Sequence, residues 1–546
     1  MKSNTEKIYI KHWLDIKPYN TQTVTDSYYL QICNKVKNAI IGNKHAFMLN
    51  LYLENTINLS MLACFLTSYF EDLVSETNIW NTFVNHHIEL YNKPLPFFDV
   101  DDYYTEEINV QDVSFLIWYF LNMLQEDEFV DPINACITET AVSIMDVFDE
   151  IWEYAPQNEK LKSLYTIDEG ETDYYVARDF IDTILFKSYL FYPDTMLDLK
   201  ESELELMEDP EVKENIIHFL NENRDQTLHS TYTRLLCLKG KDWASKIVGN
   251  DHPLSKDFSN ISQQKIRGFF LYKGQDENDV FLEHIASGKQ FNLTKKSFDD
   301  SELLQNIDTI IFIGIVKWRD EWWFSGVFFI NEFNADLVLD EKNSLQSRME
   351  VNFLDHQSND VEEILEKQYS IFKDFTNGKE IVFLDSEKVD SFIKEYTEYY
   401  NKSLKLSKKE RDKAKKRARK DGFFGTEDTH SDFTEVSESA LIFFNPKSGV
   451  EVALAVNSAF PAPHNPFFNV DDSEEHLFRL FMNESISTEL VMYCIENYKS
   501  IIPFFNKIEG KVYLENIDFL LRFWKQNNYY TKPSITFTGG SKSFST

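Results

Sequence analysis

About the first 250 residues place apolar side chains at the spacing of α-helices. In TDSYYLQICNKVKNAI apolar residues recur every three or four positions, and Thr25 or Asp26 stands where an N-cap is expected. The apolar positions are Tyr29, Leu30, Cys33, Val36 and Ile40. The same period appears in FLTSYFEDLVSETNIWNTFVNHHIEL, SFLIWYFLNMLQ, AVSIMDVFDEIWEY and YYVARDFIDTILFKSYLF. This pattern predicts a mainly helical domain over residues 1–255.

From residue 262 the helical spacing gives way to short runs of strand-forming residues. KIRGFFLYKGQDENDVFLEHIASGKQFNLTKKSF contains three such runs, broken by KGQDEND and ASGK. DTIIFIGIVKWRDEWWFSGVFFI contains two more around a polar turn. Five short strands in about 70 residues predict a small antiparallel β-barrel or half-barrel over residues 262–335.

The last part of the chain, residues 336–546, mixes both patterns. VEEILEKQYSIFKDF and SEKVDSFIKEYTEYYNKSL have helical spacing, KEIVFLD is a strand, and SALIFFNPKSGVEVALAVNSAF predicts a hairpin turned at NPKSG. Two further helices are predicted in DDSEEHLFRLFMN and STELVMYCIENY. The predicted fold class is therefore α+β: a helical N-terminal domain, a small barrel-like module and a mixed α/β C-terminal domain.

The amino-acid composition restricts the cellular location and the possible contacts of the protein. The net charge is −35, which disfavours non-specific contact with nucleic acid or an anionic membrane. The five cysteines are widely spaced among apolar neighbours and form no CxxC pair, which is typical of reduced, buried thiols in an intracellular protein. The N-terminus has no uninterrupted apolar stretch, and the most apolar window, Phe115–Leu124, is about half of what a bilayer requires. We expect a cytoplasmic protein with no membrane contact.

One basic segment contrasts with the acidic chain. Between Lys402 and Lys420 there are eleven Lys or Arg and two acidic residues, a net of +9 in 19 residues, so the rest of the chain carries −44. Ser407 and Glu410 have the spacing of a capping box, and Gly422 supplies a stop, which predicts a basic helix at about residues 407–421.

The predicted basic helix has no apolar stripe, because only alanines interrupt its charged residues. It therefore fits neither a core helix nor an amphipathic membrane anchor. Its like charges at i,i+4 oppose an isolated helix, and an external anion would reverse that effect. The candidate binding residues are Lys408, Lys409, Arg411, Lys413, Lys415, Lys416, Arg417, Arg419 and Lys420. Three interpretations stand. The segment extends into solvent or docks on the chain's own acidic surface, it contacts RNA, DNA or ribosome, or it contacts an acidic protein.

The barrel module is rich in aromatic residues. Trp318, Trp322, Trp323 and Phe324 flank one turn, and such rings either fill a barrel core or stack on nucleic-acid bases. Filling of the core is favoured for most of them. Because adjacent residues of a strand face opposite ways, Trp322 or Trp323 is a candidate for an exposed ring.

The loop SAFPAPHNPFF holds His464 between three prolines that stiffen the backbone. A stiff loop can present a functional histidine, which makes His464 a candidate catalytic residue. The alternative is that Phe460, Phe467 and Phe468 anchor the loop in the core and that His464 is incidental.

No metal or cofactor is predicted. His86 and His87 are adjacent, so on a helix they point about 100° apart, and HxxxH and HExxH are absent from the sequence. DVDDYYTEE lacks the glycine that an EF-hand loop requires. GxxxxGK[ST], GxGxxG and GxSxG are also absent.

Two blocks resemble a known family. KHWLDIKPYNTQTVTDSYYLQICNKV and SALIFFNPKSGVEVALAVNSAFPAPHNPFF are similar to the opening and later blocks of an uncharacterised domain-of-unknown-function family of Bacteroidota. The resemblance spans most of the chain. It implies a bacterial intracellular protein and brings no reaction or active site.

The sequence thus favours a non-enzymatic intracellular binding or adaptor protein, whose basic helix contacts a polyanion or an acidic protein surface. The alternatives are an enzyme without a familiar motif, with its site near His464, and a structural subunit of a larger assembly. The oligomeric state is not fixed by the sequence.

Overall fold

The computed structural model describes residues 7–100, 102–125, 129–210, 212–261, 265–343, 351, 359–403, 433–531 and 538–539. The chain divides into two compact units, Met1–Asp355 and His356–Thr546. The predicted helical domain and the predicted β module lie together in the first unit.

The N-terminal part of the first unit is helical, as the spacing of its apolar residues predicts. Helix α2 begins after Thr25, which occupies the N-cap position as expected. The helices are α1 Ile10–Leu14, α2 Asp26–Gly42, α3 Ala46–Leu53, α4 Thr56–Ser75, α5 Ile79–Tyr91, α6 Val110–Leu124, α7 Ala135–Asp149, α8 Glu159–Leu164, α9 Tyr174–Lys187, α10 Leu197–Glu208, α11 Ile216–Ser230, α12 Gly240–Val248 and α13 Leu254–Ser259.

Helices α4 and α6 form the centre of this helical part. Both are buried along most of their length, and Phe65 of α4 packs its ring against Tyr119 and Phe120 of α6. Helix α4 is 20 residues long and apolar enough to span a membrane by length and composition, but 72% of its most apolar window is buried inside the protein. Its burial is that of a core helix.

A closed five-stranded barrel follows the helices. Its strands are β1 Ile266–Gln275, β2 Asp279–His284, β3 Gln290–Thr294, β4 Ile310–Trp318 and β5 Glu321–Asn331, and helix α14 Ala335–Asn343 comes after them. The strand order is β1-β2-β3-β5-β4, and β4 pairs back with β1. An odd number of strands cannot alternate in direction all the way round a closed barrel. The closing pair, β3 with β5 at Leu293 and Trp322, is accordingly parallel, a detail that the antiparallel prediction lacked.

The second unit places helices around a four-stranded sheet. Its helices are α15 Asn359–Phe375, α16 Val389–Ser403, α17 Ser473–Met482, α18 Thr488–Tyr498, α19 Ile508–Glu515 and α20 Ile517–Trp524. Its described strands are β6 Ile381–Asp385, β7 Ser439–Asn445, β8 Gly449–Leu454 and β9 Thr538–Gly539, in that spatial order. The predicted hairpin is β7 with β8, which turns at residues 446–448. The predicted α+β class is confirmed.

A buried lysine closes one helix end in the second unit. Lys525 is fully buried, and its Nζ donates to the carbonyl oxygens of Leu480 at 3.1 Å and Ile486 at 2.8 Å. These carbonyls belong to the end of α17 and the loop after it, where helical partners are missing. Burial lowers the pKa of Lys525 to about 7, because the charged ammonium group is disfavoured away from water. The hydrogen bonds to the carbonyl oxygens stabilise that charged form.

The helical part of the first unit contains a buried carboxylate held by tyrosines. Asp112, in the first turn of α6, accepts hydrogen bonds from the Tyr69 hydroxyl at 2.7 Å and the Tyr103 hydroxyl at 2.9 Å. Burial raises the pKa of Asp112 to about 7, although these hydroxyls favour its charged form. Because the pKa in the folded state lies above that of an unfolded chain, folding takes up a proton between about pH 4 and pH 7.

We predict that Asp112 makes the folded state less stable as pH rises through this range. The free energy of unfolding of the wild type, relative to that of Asp112→Asn, should fall by up to about 1 kcal/mol per pH unit between pH 5 and pH 7 and stay level above it. Urea unfolding followed by tryptophan fluorescence measures this, since eight of the nine tryptophans lie in the first unit. A difference that is constant from pH 5 to pH 8 would contradict the assignment.

Candidate functional site

The predicted basic helix lies outside the described residues. Lys408 to Lys420 fall within residues 404–432, which the structure does not describe. The proposed binding role of these lysines and arginines therefore stays a prediction from sequence.

His464 is exposed at the surface of the second unit. Its ring lies 5.4 Å from the ring of Phe383 in β6, and the next residue, Asn465, donates to the carbonyl oxygens of Asn457 and Phe460, both at 2.8 Å. Of the three phenylalanines that the alternative interpretation placed in the core, Phe460 is fully buried, whereas Phe467 is half-buried and Phe468 is exposed. Within residues 359–403 and 433–531, no carboxylate hydrogen bonds to His464. An acid–base role would require such an orienting partner.

The tryptophans of the barrel serve its packing. Trp323 is 3% exposed and packs against Tyr174 and Tyr175 of α9, so its assignment as a possible exposed ring was wrong. Trp322 is half-buried, with its ring 4.9 Å from that of Phe291. Alternation along β5 does send the two rings to opposite faces, but one face meets the barrel interior and the other meets α9.

A buried cluster of charged groups joins the helices to the barrel. We call it the Lys265 cluster: Arg178 of α9, Glu222 and Asp225 of α11, Lys265 just before β1, and Ser325 of β5. Lys265 Nζ lies 2.7 Å from Glu222 Oε1 and 2.8 Å from Asp225 Oδ2. Arg178 Nε lies 2.7 Å from Asp225 Oδ1. Arg267 Nε, on a half-exposed side chain, also lies 3.2 Å from Glu222 Oε1, so three cations face the two carboxylates.

Hydrogen bonds extend the Lys265 cluster into both elements. Ser325 Oγ donates to the Asp225 carboxylate at 2.8 Å, and the Tyr174 hydroxyl lies 2.8 Å from both Ser325 Oγ and His229 Nε2. The backbone N–H of Val327 donates to Glu222 Oε2 at 3.1 Å. Each carboxylate of α11 therefore bonds to a strand of the barrel as well as to a cation.

Electrostatics fix the protonation of this cluster. Burial alone would raise the pKa of Asp225, but the charges of Lys265 and Arg178 outweigh it and hold that pKa well below its usual range. Burial lowers the pKa of His229 to about 4, against the opposing charge of Asp225. At neutral pH, Asp225 is charged and His229 is neutral.

Two glycines make room for Lys265. A Cβ at Gly314 of β4 would overlap Lys265 Cε, and a Cβ at Gly326 of β5 would overlap Lys265 Nζ and Glu222 Oε2. Gly326 also has a φ of +90°, which favours glycine. The lysine side chain occupies the space that side chains at these two strand positions would take.

The Lys265 cluster contains charged groups of the kinds that are typical of catalysis, but its central side chains are buried away from solvent. The side chains of Lys265, Asp225 and Glu222 are 0%, 1% and 8% exposed. A substrate could not reach these atoms without parting α11 from the barrel. The cluster therefore connects α11 to the barrel. Its buried charges are tolerated because each is paired and hydrogen-bonded.

A surface cavity of about 540 Å³ lies elsewhere in the first unit. Its lining combines carboxylates with two aromatic rings and is open to solvent. The residues are Glu107, Ile108, Asp149, Glu150, Trp152, Glu153 and Tyr154. Surface carboxylates of this kind are usually solvated. Across the described ranges, no group of three or more His, Cys, Asp or Glu is placed to hold a metal ion.

Comparison with known proteins identifies the family of this chain. The described residues form an α+β fold, in which the helices and the closed barrel of the first unit are joined by the Lys265 cluster. The chain belongs to the family described as Protein of unknown function (DUF3843), whose model matches residues 7–282, about half of the sequence. No curated protein matches, and no solved structure matches.

The family match ends inside the barrel. Residue 282 lies in β2, whereas the barrel closes only with β5, which ends at Asn331. The late sequence block that resembled the family, SALIFFNPKSGVEVALAVNSAFPAPHNPFF, lies beyond the matched residues. Since Ser325 and Val327 bond to α11, the structural unit that contains the matched residues extends at least through β5.

We predict that Gly326→Ala severely destabilises the first unit. The added methyl group would meet both partners of the buried Lys265–Glu222 pair, and breaking such a pair costs about 3–5 kcal/mol. The midpoint of urea unfolding, followed by tryptophan fluorescence, should fall accordingly.

Gly249→Ala is the matched control. Gly249 also has a positive φ, +87°, but a Cβ there would have no heavy atom within 4 Å. The Gly249→Ala variant should therefore lose only the free energy of the backbone strain, about 1–3 kcal/mol. Equal losses in the two variants would mean that the space around Lys265 is not what requires glycine at position 326.

Proposed function

We propose that this protein is a non-enzymatic intracellular binding protein whose basic segment, residues 402–420, contacts the phosphate backbone of a nucleic acid. The charge pattern carries the proposal: a net of +9 in 19 residues within a chain that otherwise carries −44. An acidic body repels polyanions at most of its surface, so such a contact is confined to this segment.

The composition of the segment supports a phosphate backbone over an acidic protein surface. Protein interfaces bury apolar and aromatic residues at their centre and are depleted of charge there. Between Ser407 and Lys420 the only apolar residues are Ala414 and Ala418. Duplex DNA carries about one negative charge per 1.7 Å of its axis, which suits a segment that binds through charge alone.

The described part of the protein supports a binding role over catalysis. The candidate catalytic residue His464 has no carboxylate partner there, and the one dense polar cluster of the barrel is closed to substrates. The resemblance to Bacteroidota proteins further supports a bacterial, cytoplasmic setting for this binding.

We predict that six substitutions to Ser abolish nucleic-acid binding and leave the fold intact. The positions are Lys413, Lys415, Lys416, Arg417, Arg419 and Lys420. If the wild type engages about five phosphates, the logarithm of its association constant should fall with that of the salt concentration with a slope of about −4.5 on duplex DNA. Each lost contact reduces the slope by about 1, so the variant's slope should approach zero. Fluorescence anisotropy with labelled duplex DNA and single-stranded RNA measures this.

A matched control removes the same charge elsewhere. Six exposed lysines outside the segment are replaced by Ser: Lys11, Lys35, Lys379, Lys394, Lys499 and Lys511. This variant should bind with an unchanged slope. An equal loss in both variants would attribute binding to net charge. A wild type that retains neither nucleic acid but captures an acidic protein through the segment would overturn the choice of ligand.

A further inference from the structure

A small polar pocket lies in the helical part of the first unit. Its volume is about 10 Å³. Three apolar residues form part of its wall, and the other lining residues carry polar groups. We call this site the Tyr165 pocket, and its polar groups belong to Lys17, Ser68, Asp72, Thr77, Tyr165 and Tyr189.

The Asp72 carboxylate forms one side of the Tyr165 pocket. It accepts hydrogen bonds from the Thr77 hydroxyl and from the Tyr189 hydroxyl, the latter at 2.9 Å. The backbone N–H of Trp80 donates to it at 2.8 Å. Burial raises the pKa of Asp72, and these three donors act in the opposite direction, toward the charged form. The pocket therefore has an oriented acceptor on this side.

Two buried hydroxyl groups of the pocket have hydrogens without an acceptor. Ser68 is 1% exposed and Tyr165 is 6% exposed. Ser68 Oγ accepts a hydrogen bond from Lys17 Nζ at 3.0 Å, but no group in the part of the chain that the structure describes accepts the Ser68 hydrogen. Among the same described residues the Tyr165 hydroxyl has no hydrogen-bond partner. Because buried donors are nearly always paired, both hydroxyls indicate an acceptor beyond the described backbone and side chains.

The two hydroxyls and the carboxylate lie close enough to share one partner. Burial raises the pKa of the Tyr165 hydroxyl well above its usual range, and the nearby charges of Asp72 and Glu71 raise it further. Tyr165 directly follows α8, while Ser68 and Asp72 are four residues apart on α4 and so lie on the same face of that helix. A small molecule between the end of α8 and this face of α4 would reach all three groups.

We infer that the Tyr165 pocket binds one water molecule, which accepts hydrogen bonds from Tyr165 and Ser68 and donates one to Asp72. A water requires a volume of at least roughly 10–15 Å³, so a pocket of about 10 Å³ admits a water and nothing larger. Buried waters typically make about three hydrogen bonds, which is the number of partners offered here.

The charges around the pocket favour a neutral ligand. The Lys17 ammonium group disfavours a cation in the pocket, and the Asp72 carboxylate disfavours an anion. The bound water connects the end of α8 to α4 and satisfies both hydroxyls. This inference is independent of the nucleic-acid proposal.

A crystal structure of the full-length chain tests the inference directly. One peak of electron density should lie within hydrogen-bond distance, about 2.5–3.2 Å, of Tyr165 Oη, Ser68 Oγ and an Asp72 carboxylate oxygen. A pocket without this peak, or a Tyr165 hydroxyl that bonds to a protein group instead, would overturn the inference. Crystals grown with rubidium as the monovalent cation should give no anomalous signal at this peak, because such a signal would show a cation site.

A double-mutant cycle tests the shared water in solution. Tyr165→Phe and Ser68→Ala each remove one donor to the water, so each should lower the midpoint of urea unfolding. Because either substitution already weakens the binding of the water, the double variant should lose less than the sum of the two single shifts. Strictly additive shifts would mean that the two hydroxyls share no ligand.

Tyr29→Phe is the matched control for Tyr165→Phe. Tyr29 is also buried, but its hydroxyl donates directly to the Pro156 carbonyl oxygen at 2.6 Å. Ser68→Ala removes the same acceptor of Lys17 in both cycles, so this loss cancels in the comparison. Combined with Ser68→Ala, Tyr29→Phe should give an additive shift. Equal non-additivity in the two cycles would attribute the effect to the packing of α4 and count against a shared water.

Discussion

The first unit depends on the neutralisation of two buried carboxylates. Glu222 and Asp225 lie one helical turn apart on α11 and face the barrel, where unpaired charges would be very costly. Lys265, Arg178 and Arg267 compensate them, and Ser325 and Val327 of β5 donate further hydrogen bonds to them. The packing of α9 and α11 is thereby linked to the barrel, since the same group of charges contacts both.

The barrel and the helices are consequently one structural object. The aromatic residues around the turn between β4 and β5 pack into the barrel core or against α9. A barrel that stacks on bases would expose such rings, but here Trp322 is partly enclosed and Trp323 is wholly enclosed. The module contributes stability and shape.

Local patterns predicted the elements well, because helices and strands follow from apolar spacing that is visible over ten residues. Helix α2 with its cap at Thr25, the five barrel strands and the β7–β8 hairpin were all predictable in this way. The Lys265 cluster was not, because its partners are 43 and 47 residues apart in the chain and two carboxylates on a helix resemble a solvated face. Isolated glycines inside two strands, Gly314 and Gly326, were the available signals of a close approach. The candidate site was therefore harder to predict than the fold, and the basic segment, which the structure does not describe, remains known from its charge alone.

The space around Lys265 has a consequence for how this protein can change over evolutionary time. The side chain of Lys265, which precedes β1, occupies the space that side chains at Gly314 and Gly326 would take. A Cβ at Gly314 would also meet the backbone carbonyl oxygen of Ser325, and Gly326 lies against Glu222 with a φ of +90°, so a shorter residue at 265 would not by itself admit a larger residue at either glycine. We therefore expect glycine to be retained at positions 314 and 326 even in relatives that carry a different residue at position 265.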